Sequence, residues 1–175
     1  MILGFKQYFP WKGEDGKPEP TNFREKILAG ANYFQPSGEE PVRNGPSTHS
    51  VSIKYFVPKI HTFREDPHDR WKAGMKVSMV YRGAGYKIID WFNEGIPELG
   101  TIKSIQKIQL RWVETKLENR VISTLLIFID NKGFPFNRYE ELFANDGFKS
   151  RVQFFKWFKK DWSGKILHFT DLRYE

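Results

Sequence analysis

The sequence predicts an α+β fold, built as a curved antiparallel sheet or small β-barrel with peripheral helices. Three observations predict it. Several strand-like runs follow one another in succession from Lys76 to Asp130. Three other stretches carry apolar residues at helical spacing between recognisable cap residues. At 175 residues the chain is long enough for one domain, 1–175, whose core needs no disulfide staples, and it contains no Cys.

Residues 2 to 9 read as a short strand, and Trp11 to Pro20, with two Gly and two Pro, as a surface loop. A helix follows. Asn22 and Glu25 have capping-box spacing, Phe23, Ile27 and Leu28 form an apolar stripe, and Gly30 stands where a left-handed C-cap belongs. Ala31 to Ser50 is rich in Gly, Pro, Ser, Asn and Glu and lacks apolar periodicity, so an exposed insertion is expected over about 31–50, either a lid or a tolerated surface excursion. Val51 to Val57 alternates as a strand.

Beyond the polar stretch at 59–74, Lys76 to Tyr81 and Tyr86 to Trp91 form a hairpin around Gly83-Ala84-Gly85. Thr101 to Val113 alternates with one change of phase, which suggests a bulge, and Glu114 to Arg120 is a charged loop leading to the strand Val121 to Asp130. Asn137 with Glu140 opens a helix that carries Leu142 and Phe143 and stops at Gly147. Ser150 with Gln153 opens another that carries Phe154, Phe155, Trp157 and Phe158. These rings read as core, with Lys156, Lys159 and Lys160 on the solvent face. Lys165 to Phe169 is the last strand.

The chemistry concentrates in Lys59-Ile60-His61-Thr62-Phe63-Arg64, running on through Arg70, Trp71 and Lys72 to Gly74. In an extended Ile60 to Arg64 segment, Thr62 and Arg64 share one face and His61 and Phe63 the other, because strand side chains alternate. Lys59 lies three positions before Thr62, so its amine meets the hydroxyl only if the chain turns there, which Pro58 favours. The excess of 28 Lys and Arg over 21 Asp and Glu, net +7, is the electrostatic footprint of a phosphate-rich partner. On that reading Lys59, Arg64, Arg70, Lys72 and Lys76 line a cleft that holds phosphates, Trp71, His61 or Phe148 stack on an unpaired base, and Asn145 and Asp146 read base edges. Against it stands a plainer reading: Trp71 and Phe148 are core, the basic residues are a solvated face, and Glu65, Asp66 and Asp69 neutralise neighbouring cations.

The four His share no metal-ligand spacing and no glycine-rich phosphate loop follows a strand, so neither a metal nor another cofactor is expected. No apolar run approaches the length of a membrane span, no secretory signal opens the chain, and Cys is absent, so a cytoplasmic protein without membrane contact is expected.

Taken together, Lys26-Ile27-Leu28-Ala29-Gly30, the Lys59-x-x-Thr62-x-Arg64 signature, Gly74 opening a strand and a late helical segment before a final strand resemble an ASCH domain of the PUA-like superfamily. The resemblance implies a PUA-like barrel that recognises RNA or a modified nucleoside. One ASCH branch removes the acetyl group from 4-acetylcytidine with a lysine, a threonine and a glutamate. Carried to this chain, that implies an amidohydrolase with Lys59 as base, Thr62 as nucleophile, Arg64 as a substrate or phosphate contact, and Asp146 in place of the glutamate. Lysine can act as a base only if burial or neighbouring cations lower its pKa toward neutrality. The alternative function is a non-enzymatic regulatory or protein-interaction module.

Overall fold

The computed structural model describes residues 1–23, 25–27, 29, 58–83, 85–88, 100–118 and 120–175. The expected insertion at 31–50, the expected strand at Val51–Val57, Leu28, Gly30, Ala84 and the part of the hairpin beyond Ile88 lie outside these residues.

Ten strands and three helices form a mixed α+β architecture among the described residues. The strands are β1 (Ile2–Lys6), β2 (Tyr8–Lys12), β3 (Pro18–Pro20), β4 (His61–Arg64), β5 (Ser78–Gly83), β6 (Gly85–Ile88), β7 (Ser104–Leu117), β8 (Arg120–Ile129), β9 (Lys132–Gly133) and β10 (Trp162–His168). Helix α1 contains Phe23, Glu25, Lys26, Ile27 and Ala29; α2 is Tyr139–Asn145 and α3 is Arg151–Trp157.

Three sheets result, and among the described residues they do not close into a barrel. β4, β10, β7, β8 and β9 form an antiparallel five-stranded sheet, β1, β5 and β6 a three-stranded one, and β2 pairs with β3. Strands β1 and β5 run parallel, Ile2 opposite Ser78, a pairing across more than seventy residues that no local pattern announces. β1 and β4 are the facing edges of the two larger sheets. Instead of pairing they are joined by the Arg64 guanidinium, which donates from Nη2 to the Gly4 carbonyl at 2.9 Å.

Several local expectations change in detail. The segment Trp11 to Pro20 is a β2–β3 hairpin rather than a loop. The charged stretch Glu114 to Arg120 is mostly strand: Leu117 opposes Arg120, and Glu118 has the positive φ of 46° that a two-residue hairpin connection requires. No bulge interrupts β7, whose register with β8 and β10 is continuous. The change of phase arises because Ile102 precedes the strand and Gln106 takes a core position. Its amide nitrogen donates to Asp130 at 2.9 Å and to the Tyr174 carbonyl at 2.7 Å, which offsets the cost of burying it.

Helix ends follow their chemistry unevenly. Ser150 caps α3 by accepting from the Gln153 amide N–H, as its spacing predicts. Asn22 does not cap α1: its φ of 52° is left-handed, and the Thr21 hydroxyl instead accepts from Phe23 N–H while donating to the Lys6 carbonyl. Asn137 lies inside a 3-10 turn, Phe136–Arg138, and α2 begins one residue after that turn's Arg138 without a side-chain cap.

The core gathers the aromatic content. Phe143 and Phe154 stack at 3.9 Å between centroids, and Phe63, Phe148, Phe158 and Trp162 pack around them. Gly164 is required where β10 passes β4, since a Cβ there would overlap the Arg64 carbonyl and the Trp162 ring. No described helix is long and apolar enough to cross a membrane.

Candidate functional site

The site begins at the C-terminus of α2. Gly147, at φ 90°, ends the helix: its N–H donates to Ala144 O, and Phe148 N–H reaches back to Phe143 O. This Schellman arrangement uses the inner carbonyls and leaves those of Asp146 and Gly147 free, at the negative end of the helix. Two buried lysines occupy them. Lys26 of α1 donates to Gly147 O, and Lys59 donates to both Asp146 O and Asp146 Oδ1, the latter at 2.6 Å. Lys59 reaches this point because its own backbone N–H is bonded to Lys26 O at 2.9 Å, so α1 holds both amines beside the turn.

Asp146 Oδ1 is the hub. Besides Lys59 it accepts the backbone N–H of Phe63 at 3.2 Å, and His61 Nδ1 stands 3.8 Å away. Burial pushes the Asp146 carboxyl up, but the Lys59 ammonium and His61 outweigh burial and hold it below its ordinary value. The lysines move the other way. Burial lowers Lys59 to about 8 against the pull of Asp146, and Arg64 adds to the lowering. Burial, then the Lys59 and Lys149 cations, bring Lys26 to about 8 as well. Lys59 also sits 4.8 Å over the Phe23 ring.

A cavity of about 310 Å³ opens in the gap between β1 and β4. Lys59, Thr62, Arg64 and Asp146 supply its polar wall, and Phe23, Trp71, Phe148 and Trp157 are among its apolar walls. Thr62 is buried on β4 opposite Leu167, and among the described residues its hydroxyl makes no hydrogen bond. Arg64, over the Phe5 ring at 4.9 Å, keeps a buried Nε without a partner. Exposed Lys6 marks the rim, 5.3 Å over Trp157.

Of the residues singled out from the sequence, Lys59, Thr62, Arg64, Trp71, Asp146 and Phe148 meet at this cavity. Trp71 and Phe148 are buried, as the core reading expects, and both also line the cavity. The expected encounter of Lys59 with Thr62 is replaced by Lys59 with Asp146. Five residues stand elsewhere, one of them Lys76, which is exposed and outside the cavity lining. His61 faces the opposite side of β4, as alternation requires, and its Nε2 is 2.8 Å from the Tyr174 hydroxyl. Asn145 donates to that same hydroxyl at 2.8 Å. Arg70 is exposed and donates its backbone N–H to Asp66. Lys72 is exposed and paired with Asp69.

Sequence reasoning missed Lys26, whose position on the helix stripe i−1 to Ile27 reads as solvent-facing, and the aromatic walls Phe23 and Trp157. It also missed His168 and Tyr174, which are buried against His61. No local signal marks His168, whose two ring nitrogens are buried without partners. Comparisons with protein-family models, curated proteins and solved structures found no match for this chain.

Proposed function

We propose that this cavity recognises a modified nucleoside, free or as one unit of an RNA chain, and hydrolyses an acyl amide on its base, of the acetylated-cytidine type. In this reading the two edge-to-edge sheets serve as a PUA-like scaffold of the ASCH kind. One observation carries it: a lysine lowered to about 8, a threonine hydroxyl that makes no hydrogen bond among the described residues, an arginine and a carboxylate share one small cavity with aromatic walls. At about 310 Å³ the cavity lies at the small end of ligand sites, a scale suited to one nucleoside.

The chemistry assigned to each residue follows from its state. Thr62 Oγ1 attacks the acyl carbonyl carbon while its proton passes, through one bridging water, to neutral Lys59 Nζ. The C–N bond of the tetrahedral intermediate then breaks, and the Lys59 ammonium returns the proton to the leaving amine. Water, deprotonated by Lys59 in turn, cleaves the threonine ester, regenerates the hydroxyl and releases the carboxylic acid. Asp146, held ionised, is not the acid; it orients Lys59 and keeps the ammonium tolerable when it forms. Arg64 stabilises the oxyanion or a neighbouring phosphate.

Incubation with a panel of acylated nucleosides, read by mass spectrometry beside a Thr62→Ala control, tests this reading. Loss of the acyl mass with the parent protein alone is expected, and intact nucleosides throughout would overturn it. The pH dependence is a separate prediction. Because the neutral amine is the base and Lys59 lies at about 8, kcat/KM should rise roughly tenfold per unit below pH 8 and level off above it. A flat profile from pH 6 to 9 would remove Lys59 from the role of base.

A second reading, a non-enzymatic interaction module, has one observation in its favour. The β7–β8 ribbon exposes Val113, Leu117, Val121 and Ile122. It predicts concentration-dependent self-association in light scattering, reduced by Leu117→Lys. A protein that stays monomeric and turns over an acylated nucleoside would rule it out.

A further inference from the structure

A second concavity, with a volume of about 590 Å³, lies beyond the Trp157 and Phe158 wall that it shares with the nucleoside cavity. Its floor is three half-buried indoles, Trp11, Trp157 and Trp162, and its rim is Lys156, Lys159 and Lys160. The rings are held in place before any ligand arrives. Trp11 is stacked on Phe9 at 4.6 Å and donates its indole N–H to Glu19 at 2.6 Å; Trp162 lies against Phe63 at 6.1 Å and donates to Glu65 at 3.1 Å. The three lysines are exposed, and among the described residues none is in a salt bridge. Asp161 is the one acidic residue in the lining, and it is already occupied, accepting from Trp112 N–H at 2.7 Å and from Arg111. Lys156 Nζ lies 6.0 Å over the Trp11 ring, so cation and indole already meet at this rim, and Lys159 and Lys160 are exposed beside it without an acidic partner among the described residues.

We infer that this groove binds single-stranded nucleic acid, stacking bases on its tryptophans and holding the phosphates with Lys156, Lys159 and Lys160, so that the natural substrate of the adjoining cavity is a nucleotide within a strand. The inference rests on the nucleoside reading of that cavity, since the shared Trp157 wall makes the base in the cavity and the strand in the groove neighbours. The combination is the one sequence-tolerant strand binding requires: stacking surface already ordered, so that little entropy is lost, and cations that release counterions from the strand. A double helix is disfavoured, because its bases cannot reach an indole without unstacking.

The test is fluorescence anisotropy with a labelled mixed-sequence RNA of about twelve nucleotides, a length on the scale of one such site. The parent protein is compared with a Lys156→Gln/Lys159→Gln/Lys160→Gln variant, whose exposed positions spare the fold. Three phosphate contacts on a single strand contribute about 2 to the slope of log K against log salt, so the variant should lose about that much slope and bind at least tenfold more weakly at low salt. Its turnover of a free acylated nucleoside should equal the parent's. Equal strand affinity in parent and variant, no strand binding by the parent, or equal displacement by polyglutamate would overturn the inference and leave the nucleoside reading standing. Strand binding lost in the variant, with no nucleoside processed by either protein, would keep the groove and overturn the reading of the cavity.

Discussion

Replacing Asp146 with Ala is expected to destabilise the fold by about 3–5 kcal/mol, the scale on which removing one partner of a buried ion pair acts. The carboxylate is the charge that makes a buried Lys59 ammonium tolerable, and it also accepts the Phe63 amide N–H of β4. Its loss leaves the amine with the carbonyl oxygen of residue 146 alone, next to a second buried lysine. Urea denaturation at pH 7 measures the effect. The variant should recover part of its stability between pH 7 and 9. In it the folded-state pKa of Lys59 falls further below the unfolded value, so the unfolded chain binds the extra proton and folding gains as pH rises. A Lys59→Met/Asp146→Leu protein should regain most of the loss, apart from about 1 kcal/mol for the unpaired Phe63 N–H. A double variant as unstable as Asp146→Ala would show that packing, not charge, sets the cost.

Acid should weaken the fold through His168, well above the pH at which carboxylates titrate. Burial, then the neighbouring His61 and Arg173, lower His168 from 6.5 to about 3, and burial also lowers His61. Tyr174 faces both rings, and Asp146 faces His61 from the other side. Between pH 6.5 and about 3 the unfolded chain takes up a proton on His168 that the folded chain refuses, so stability is complete above pH 6.5 and falls steadily below it. At pH 5 the loss from this residue alone is about 2 kcal/mol. His168→Leu should match or exceed the parent at pH 7, because it removes two unsatisfied buried nitrogens, and should lose less stability on going to pH 5. Identical pH slopes in the two proteins would place the titration elsewhere.

Much of the fold is legible in local pattern. The alternation that predicts a strand through 101–113 locates β7, and the Ser150 and Gly147 signals locate two helix ends, because caps and alternation act over a few residues. The hairpin ends were less legible, since Glu114 to Arg120 is polar for the simple reason that the ribbon extends into solvent. The barrel expectation outran its basis in the same way. Alternating strands specify that sheets form, but whether their edges meet depends on what lies between them, and here Arg64 and the cavity lie between β1 and β4.

By itself the sequence determined the α+β class, the positions of the later strands and helices, and the grouping of Lys59, Thr62 and Arg64 on one short strand with its lead-in. The tertiary structure decided the rest: that Lys59 meets Asp146 rather than Thr62, that Lys26 is buried beside it, that Trp71 and Phe148 wall a cavity, and that His168 is sealed without a partner. The physical reason is range. Periodicity and capping are settled by near neighbours along the chain, whereas desolvation and charge pairing are sums over atoms that folding brings together from α1, β1, β4 and the end of α2.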